Sequence, residues 1–92
     1  MLVVEDNELV RRLAVRVLAA KGYQVLEAGD GGEALRVYAA QQGQIALVMT
    51  DLVLPGMSGK ELVDMLRQAR PDLKIIYPPY SERAKKLLRR LA

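Results

Sequence analysis

Four short β-rich apolar runs are separated by stretches with helical periodicity, and this alternation constrains the chain more than any other feature. Leu2-Val3-Val4 comes first. Val10, Leu13, Ala14, Val17 and Leu18 follow at the i, i+3, i+4, i+7, i+8 spacing of one helix face, within a stretch from Glu8 to Lys21. Residues 23–28 form the second run, and Leu35, Tyr38 and Ala39 lie in the next amphipathic stretch. Ile45 to Thr50 is almost continuously apolar, as a strand buried on both faces would be. Leu62, Met65, Leu66 and Ala69 share a third helical face, and Leu73 to Tyr77 read as a fourth strand. Ala84, Leu87, Leu88 and Leu91 mark a last helix.

The residues between these segments supply starts and stops. Gly22 suits the left-handed position that ends the first helix, and Gly43 ends the second. Asp30 with Glu33, and Ser58 with Glu61, have the spacing of capping boxes that open helices. Pro71-Asp72 breaks the third helix, Pro78-Pro79 stops regular structure, and Ser81 caps the last helix. The order is βαβαβαβ-α. Right-handed crossovers then give an α/β fold, an open parallel sheet with helices on both faces. Such sheets bind ligands beyond the carboxyl ends of their strands, which directs attention to the loops after the first and third runs.

The 92 residues allow a single domain, 1–92. The absence of histidine and cysteine excludes a Ser-His-Asp or Cys-His nucleophile, imidazole and thiolate metal sites, and disulfides. No uncharged apolar stretch approaches the roughly 20 residues of a membrane span, and the first residues contain no basic leader, so a cytoplasmic domain without a membrane span is expected. The net charge of +3 is unevenly placed. Residues 1–80 hold nine basic and ten acidic side chains, whereas residues 81–92 hold five basic and one acidic. A basic helix face without Trp or Phe reads as a solvated surface, and no nucleic-acid partner is expected.

The first run ends in Glu5-Asp6 and the third in Thr50-Asp51. If these strands are neighbours, three carboxylates converge in one crevice and repel one another unless a cation neutralises them. Oxygen ligands suit a hard ion, and few protein ligands with water completing the shell suit Mg²⁺. A loop carbonyl, most simply that of Val53, would add a further oxygen. Taken singly, Glu5 and Asp6 read equally as a turn before a helix, and Asp51 as a loop entry.

The segments Leu2-Val3-Val4-Glu5-Asp6-Asn7 and Leu47-Val48-Met49-Thr50-Asp51-Leu52-Val53-Leu54-Pro55-Gly56-Met57-Ser58-Gly59 together resemble the receiver domain of two-component response regulators, in particular receivers attached to hybrid sensor histidine kinases. Residues 22–28 and 30–35 resemble the second strand and helix of the same family, and the pattern continues to residue 77. The resemblance implies a flavodoxin-like sheet with strand order 2-1-3-4, and a signalling domain rather than an enzyme. It implies that Asp51 accepts a phosphoryl group from a histidine kinase or phosphotransfer protein. Glu5, Asp6, Asp51 and the Val53 carbonyl would hold Mg²⁺, and Pro55 and Gly56 would shape the loop around Asp51.

The chain also departs from that pattern. Family members have five strands and five helices, but here the fourth helix and fifth strand are missing, a βα unit of about 25–30 residues. The Ser or Thr that ends the family's fourth strand has no counterpart after Tyr77, and Pro78 stands where the phosphate-pairing Lys is expected. These losses predict impaired phosphorylation, and they leave open a non-phosphorylated pseudo-receiver that serves as a binding or dimerisation module. They also predict an uncovered edge at strand 73–77, through which, or by exchange of the last helix, a homodimer would form.

Overall fold

The computed structural model describes residues 1–77 and Arg90. Four strands, β1 (Leu2–Val4), β2 (Leu26–Ala28), β3 (Leu47–Thr50) and β4 (Lys74–Ile76), alternate with three helices, α1 (Glu8–Ala20), α2 (Gly31–Ala40) and α3 (Gly59–Ala69). All strand pairs are parallel and the order is β2-β1-β3-β4. The chain moves from β1 outward to β2, then back across β1 to β3 and on to β4. Because crossovers are right-handed, this reversal puts α1 on one face of the sheet and α2 and α3 on the other. The predicted architecture and order are those observed.

Side chains alternate across each strand, so Leu2 and Val4 point one way and Val3 the other. Leu2, Val4, Ala28 and Val48 join Ala34, Leu54, Leu62, Leu66 and Leu73 in the core under α2 and α3. Val3 is equally buried, on the side where α1 brings Val10. Each helix opens on a side-chain cap. Asn7 Oδ1 accepts from the Val10 N–H at 3.0 Å, Asp30 Oδ1 from Glu33 at 2.7 Å, and Ser58 Oγ from Glu61 at 3.1 Å. In the second of these boxes Glu33 reaches back past the cap residue to the Gly29 N–H, at 3.2 Å.

Several boundaries and faces differ from expectation. The second strand starts at Leu26 rather than at residue 23, because the Tyr23 N–H still bonds to the Leu18 carbonyl and finishes the turn after α1 around left-handed Gly22. The third begins at Leu47, since the Ile45 carbonyl is taken by Arg70 Nη1 at 2.8 Å instead of a ladder partner. It is also not buried on both faces: Val48 and Thr50 are buried, whereas Leu47 and Met49 are half-buried. The fourth strand shrinks to three residues, with the Leu73 N–H held in a turn by the Arg70 carbonyl.

On α1 only Val10 is buried, and Leu13 and Val17 are 55% and 48% exposed. Among the described residues α1 packs mainly on β1 and β2, too narrow a surface to cover the whole stripe. On α2, Ala34 is the buried apolar side chain, Leu35 and Tyr38 are half-buried, and Ala39 is exposed. On α3 the buried stripe is Leu62, Val63 and Leu66, so that Met65 and Ala69 turn outward. Apart from Arg90, the expected last helix with its basic face lies outside the described residues, as does Pro78.

At the edge where the strands begin, arginines from the end of α3 fasten the loops. Arg70 Nη1 donates to the Gly43 and Ile45 carbonyls, and Arg67 to the Leu73 carbonyl. The Met1 amino group donates to the Gln24 carbonyl at 2.7 Å on the same edge. Among the described residues no helix is long and apolar enough to cross a membrane.

Candidate cation and phosphoacceptor site

The β1–β3 ladder ends with Val4 opposite Thr50, and the acidic residues occupy the next positions on each strand. The Glu5 N–H donates to the Ala28 carbonyl at 3.1 Å and the Asp51 N–H to the Val4 carbonyl at 3.4 Å, so both residues leave the sheet from fixed backbone positions. Glu5, Asp6 and Asp51 each offer a carboxylate oxygen, and these oxygens lie within 4.8 Å of one another. Glu5 is fully buried, Asp6 is exposed and Asp51 is half-buried. The Asn7 N–H donates to Glu5 Oε1 at 3.2 Å.

A fully buried carboxylate close to two others carries a desolvation cost of several kcal/mol unless positive charge compensates it. The donors are hard oxygens with no nitrogen or sulfur among them, and the cluster opens to solvent at Asp6. A small hard divalent cation that keeps part of its water shell fits this set.

The loop after Asp51 turns back on itself. The Val53 N–H makes a long contact of 3.5 Å with Asp51 Oδ1, and Val53 is otherwise largely exposed. Leu54 is buried and anchors the loop. Pro55 and Gly56 are exposed; the Pro55 carbonyl accepts from the Met57 N–H at 3.0 Å, and Gly56 has φ of 77°, which L-residues adopt at a cost. The structure thus brings Glu5, Asp6 and Asp51 together, with Val53, Pro55 and Gly56 forming the adjoining loop.

Three residues that shape this site were not singled out in the sequence. A Cβ on Gly59 would fall onto the Asp51 carbonyl oxygen and lie 2.8 Å from Leu52 Cα, while the Gly59 N–H donates to the Leu52 carbonyl at 2.8 Å. A Cβ on Gly31 would lie 2.9 Å from the Met57 sulfur. Both glycines occupy the first position of a helix, where propensity alone disfavours them, and that placement is the signal that could have exposed them. Arg11 is the third. Its Nη1 donates to the Glu5 carbonyl at 3.0 Å and its Nε to Glu27 Oε1 at 2.9 Å. Neighbouring Arg12 makes an ordinary i, i+4 surface pair with Glu8, so sequence spacing alone does not separate the two arginines.

Comparison with known proteins agrees with this geometry. Residues 1–89 match the response regulator receiver domain family. Over 77 residues, or 84% of the chain, it is 42% identical to the sensor kinase CckA of Brucella abortus, covering 8% of that protein. It is 35% identical to the response regulator receiver protein CpdR of the same organism, covering 62% of it. The chain therefore spans less than two thirds of these relatives.

Among solved structures, the receiver domain of the hybrid histidine kinase CckA superposes with a TM-score of 0.73 at 33% identity, covering 98% of this chain and 93% of that one. The response regulator TrrA of Thermotoga maritima, in complex with Mg²⁺-BeF, gives a TM-score of 0.78 at 27% identity, covering 99% and 96%. With four strands in the order 2-1-3-4 among the described residues and an acidic cluster at the β1/β3 ends, the chain belongs to the response regulator receiver domain family of two-component signalling, in a shortened form.

Proposed function

We propose that this receiver is a Mg²⁺-dependent phosphoacceptor. Asp51 would take a phosphoryl group from the phosphohistidine of a histidine kinase or phosphotransfer protein. The observation that carries this reading is the meeting of three carboxylates at the β1/β3 strand ends, one of them fully buried. An Asp51 carboxylate oxygen attacks phosphorus in line, the new O–P bond forms as the N–P bond to the donor imidazole breaks, and the imidazole leaves. When bound, the ion would offset negative charge on the carboxylates and on the phosphoryl oxygens. Glu5, Asp6 and Asp51, with the Val53 carbonyl, are the residues that would hold it.

The rate is reduced in this reading. In the sequence Pro78 stands where the phosphate-pairing Lys is expected, and a proline, not a Ser or Thr, directly follows Tyr77. Loss of one such partner removes on the order of 2–4 kcal/mol of transition-state stabilisation, a factor of roughly 30–1,000 in rate. The same two absences favour a second reading, a pseudo-receiver that binds partners without being phosphorylated. The half-exposed Ile76 and Tyr77 at the β4 edge support pairing with a second copy, which light scattering at increasing concentration tests.

Incubation with acetyl phosphate and Mg²⁺ separates the two functional readings. Acid-labile phosphate that appears slowly on the wild type, and not on Asp51→Asn or in EDTA, supports the phosphoacceptor. No incorporation over many hours supports the pseudo-receiver.

A further inference from the structure

The turn carrying the acidic pair is held from the side by an arginine. The β1–β2 ladder runs out at Val4 opposite Ala28, and the Glu5 N–H makes its last rung. In this register the next donor to the Glu5 carbonyl would be the Asp30 N–H, but Asp30 has left the sheet to become the N-cap of α2. Arg11 Nη1 takes that place at 3.0 Å while its Nε bonds Glu27 on β2 at 2.9 Å. The planar guanidinium is thereby fixed by two bonds from different nitrogens. Its side chain is only 16% exposed, and Gly29 makes room for it, since a Cβ there would lie 3.3 Å from Nη1.

The Glu5 carbonyl belongs to the planar peptide unit that joins Glu5 to Asp6. Holding its oxygen holds that plane, and with it ψ of Glu5 and φ of Asp6. These two angles set the directions in which the two carboxylates leave the backbone.

We propose that Arg11 is a positioning residue for the cation site. By tying the Glu5 carbonyl to Glu27 of β2, it aims the Glu5–Asp6 pair toward Asp51. It acts through the backbone, at a distance from the ion and from the phosphoryl group. The proposal rests on the Mg²⁺ reading given above.

The test is a Mg²⁺ titration followed by NMR on the wild type, Arg11→Gln, Arg11→Lys, Glu27→Ala and Asp51→Asn. It is carried out well below the unfolding transition, with the Glu5 carbonyl carbon read through the Asp6 amide. Wild type should titrate saturably, and Arg11→Gln should bind about 10-fold more weakly with the Glu5 carbonyl signal shifted upfield and the rest of the spectrum folded. Arg11→Lys, which can reach one acceptor but not both, should fall between them. Glu27→Ala releases Nε without touching the acidic turn and should weaken binding in the same direction, which keeps the test alive if Arg11→Gln does not fold.

A shifted Glu5 carbonyl with unchanged Mg²⁺ affinity in Arg11→Gln and Glu27→Ala would overturn the proposal, leaving Arg11 as a tie for the strand end only. Absence of saturable binding in the wild type, or equal binding by Asp51→Asn, would instead defeat the Mg²⁺ reading and the proposal with it.

Discussion

Val4 and Thr50 face each other in the last rung of the β1–β3 ladder, and each is followed by an acidic residue. Parallel pairing in this register leaves Glu5 and Asp51 side by side at the point where the winding of the sheet reverses. The acidic cluster is therefore a product of register, since a one-residue slip would turn one of the two carboxylates to the opposite face.

Because the cluster concentrates like charge, ion binding should appear as stability. At 100 times its dissociation constant, Mg²⁺ should raise the unfolding free energy of the wild type by about 2.7 kcal/mol. Asp51→Asn should start more stable than the wild type without the ion and gain much less from adding it. Urea unfolding with and without Mg²⁺ measures both effects.

Gly59→Ala should destabilise the chain by roughly 1–3 kcal/mol, because the added Cβ meets backbone of Asp51 and Leu52 that cannot move aside cheaply. Gly32→Ala is the contrasting change. Its Cβ would make only ordinary contacts of 3.5 Å with Asp30 Oδ1 and 3.6 Å with Arg36 Nη1, so the alanine should stabilise by about 0.4–1 kcal/mol. Denaturant midpoints of the two variants should move in opposite directions.

Leu66→Ala should cost about 2–5 kcal/mol, since Leu66 is fully buried in the core below α3. Met65→Ala, at a position 45% exposed one residue away, should stay within about 0.5 kcal/mol of the wild type. Equal losses in thermal unfolding would mean that α3 packs through the other stripe.

Asp30→Ala should cost about 1 kcal/mol by leaving the Glu33 N–H at the start of α2 without its cap. The loss should be read as earlier hydrogen exchange in the first turn of α2 than in α3, whose Ser58 cap is untouched.

The parallel α/β sheet was legible from the alternation of element types, whereas the strand order 2-1-3-4, and with it the meeting of Glu5, Asp6 and Asp51, came from the resemblance of the acid-ended apolar runs to receiver domains. Faces and ends were less legible because they depend on neighbours. The i, i+3, i+4 rule selects Met65, but α3 docks through Gly59 and rolls its stripe onto Val63. Leu13 and Val17 belong to the correct helical face of α1, yet no described element covers them. Ile45 has the composition of a strand residue, but its carbonyl is claimed by an arginine 25 positions away. Arg11 was hidden for the same reason, since its partners Glu5 and Glu27 meet only when β1 and β2 pair.

The arginines that fasten the loops where the strands begin have an effect beyond fastening. Arg67, Arg70, Lys74 and the Met1 amino group lie toward one edge of the sheet, and Glu5, Asp6 and Asp51 at the other. Among the described residues the strand axis therefore has a locally negative pole at the proposed phosphoacceptor. An anionic small molecule approaching that pole is opposed by the field, and added salt weakens this opposition over a Debye length of about 10 Å at 0.1 M. A neutral reagent of the same size would arrive at a rate indifferent to ionic strength.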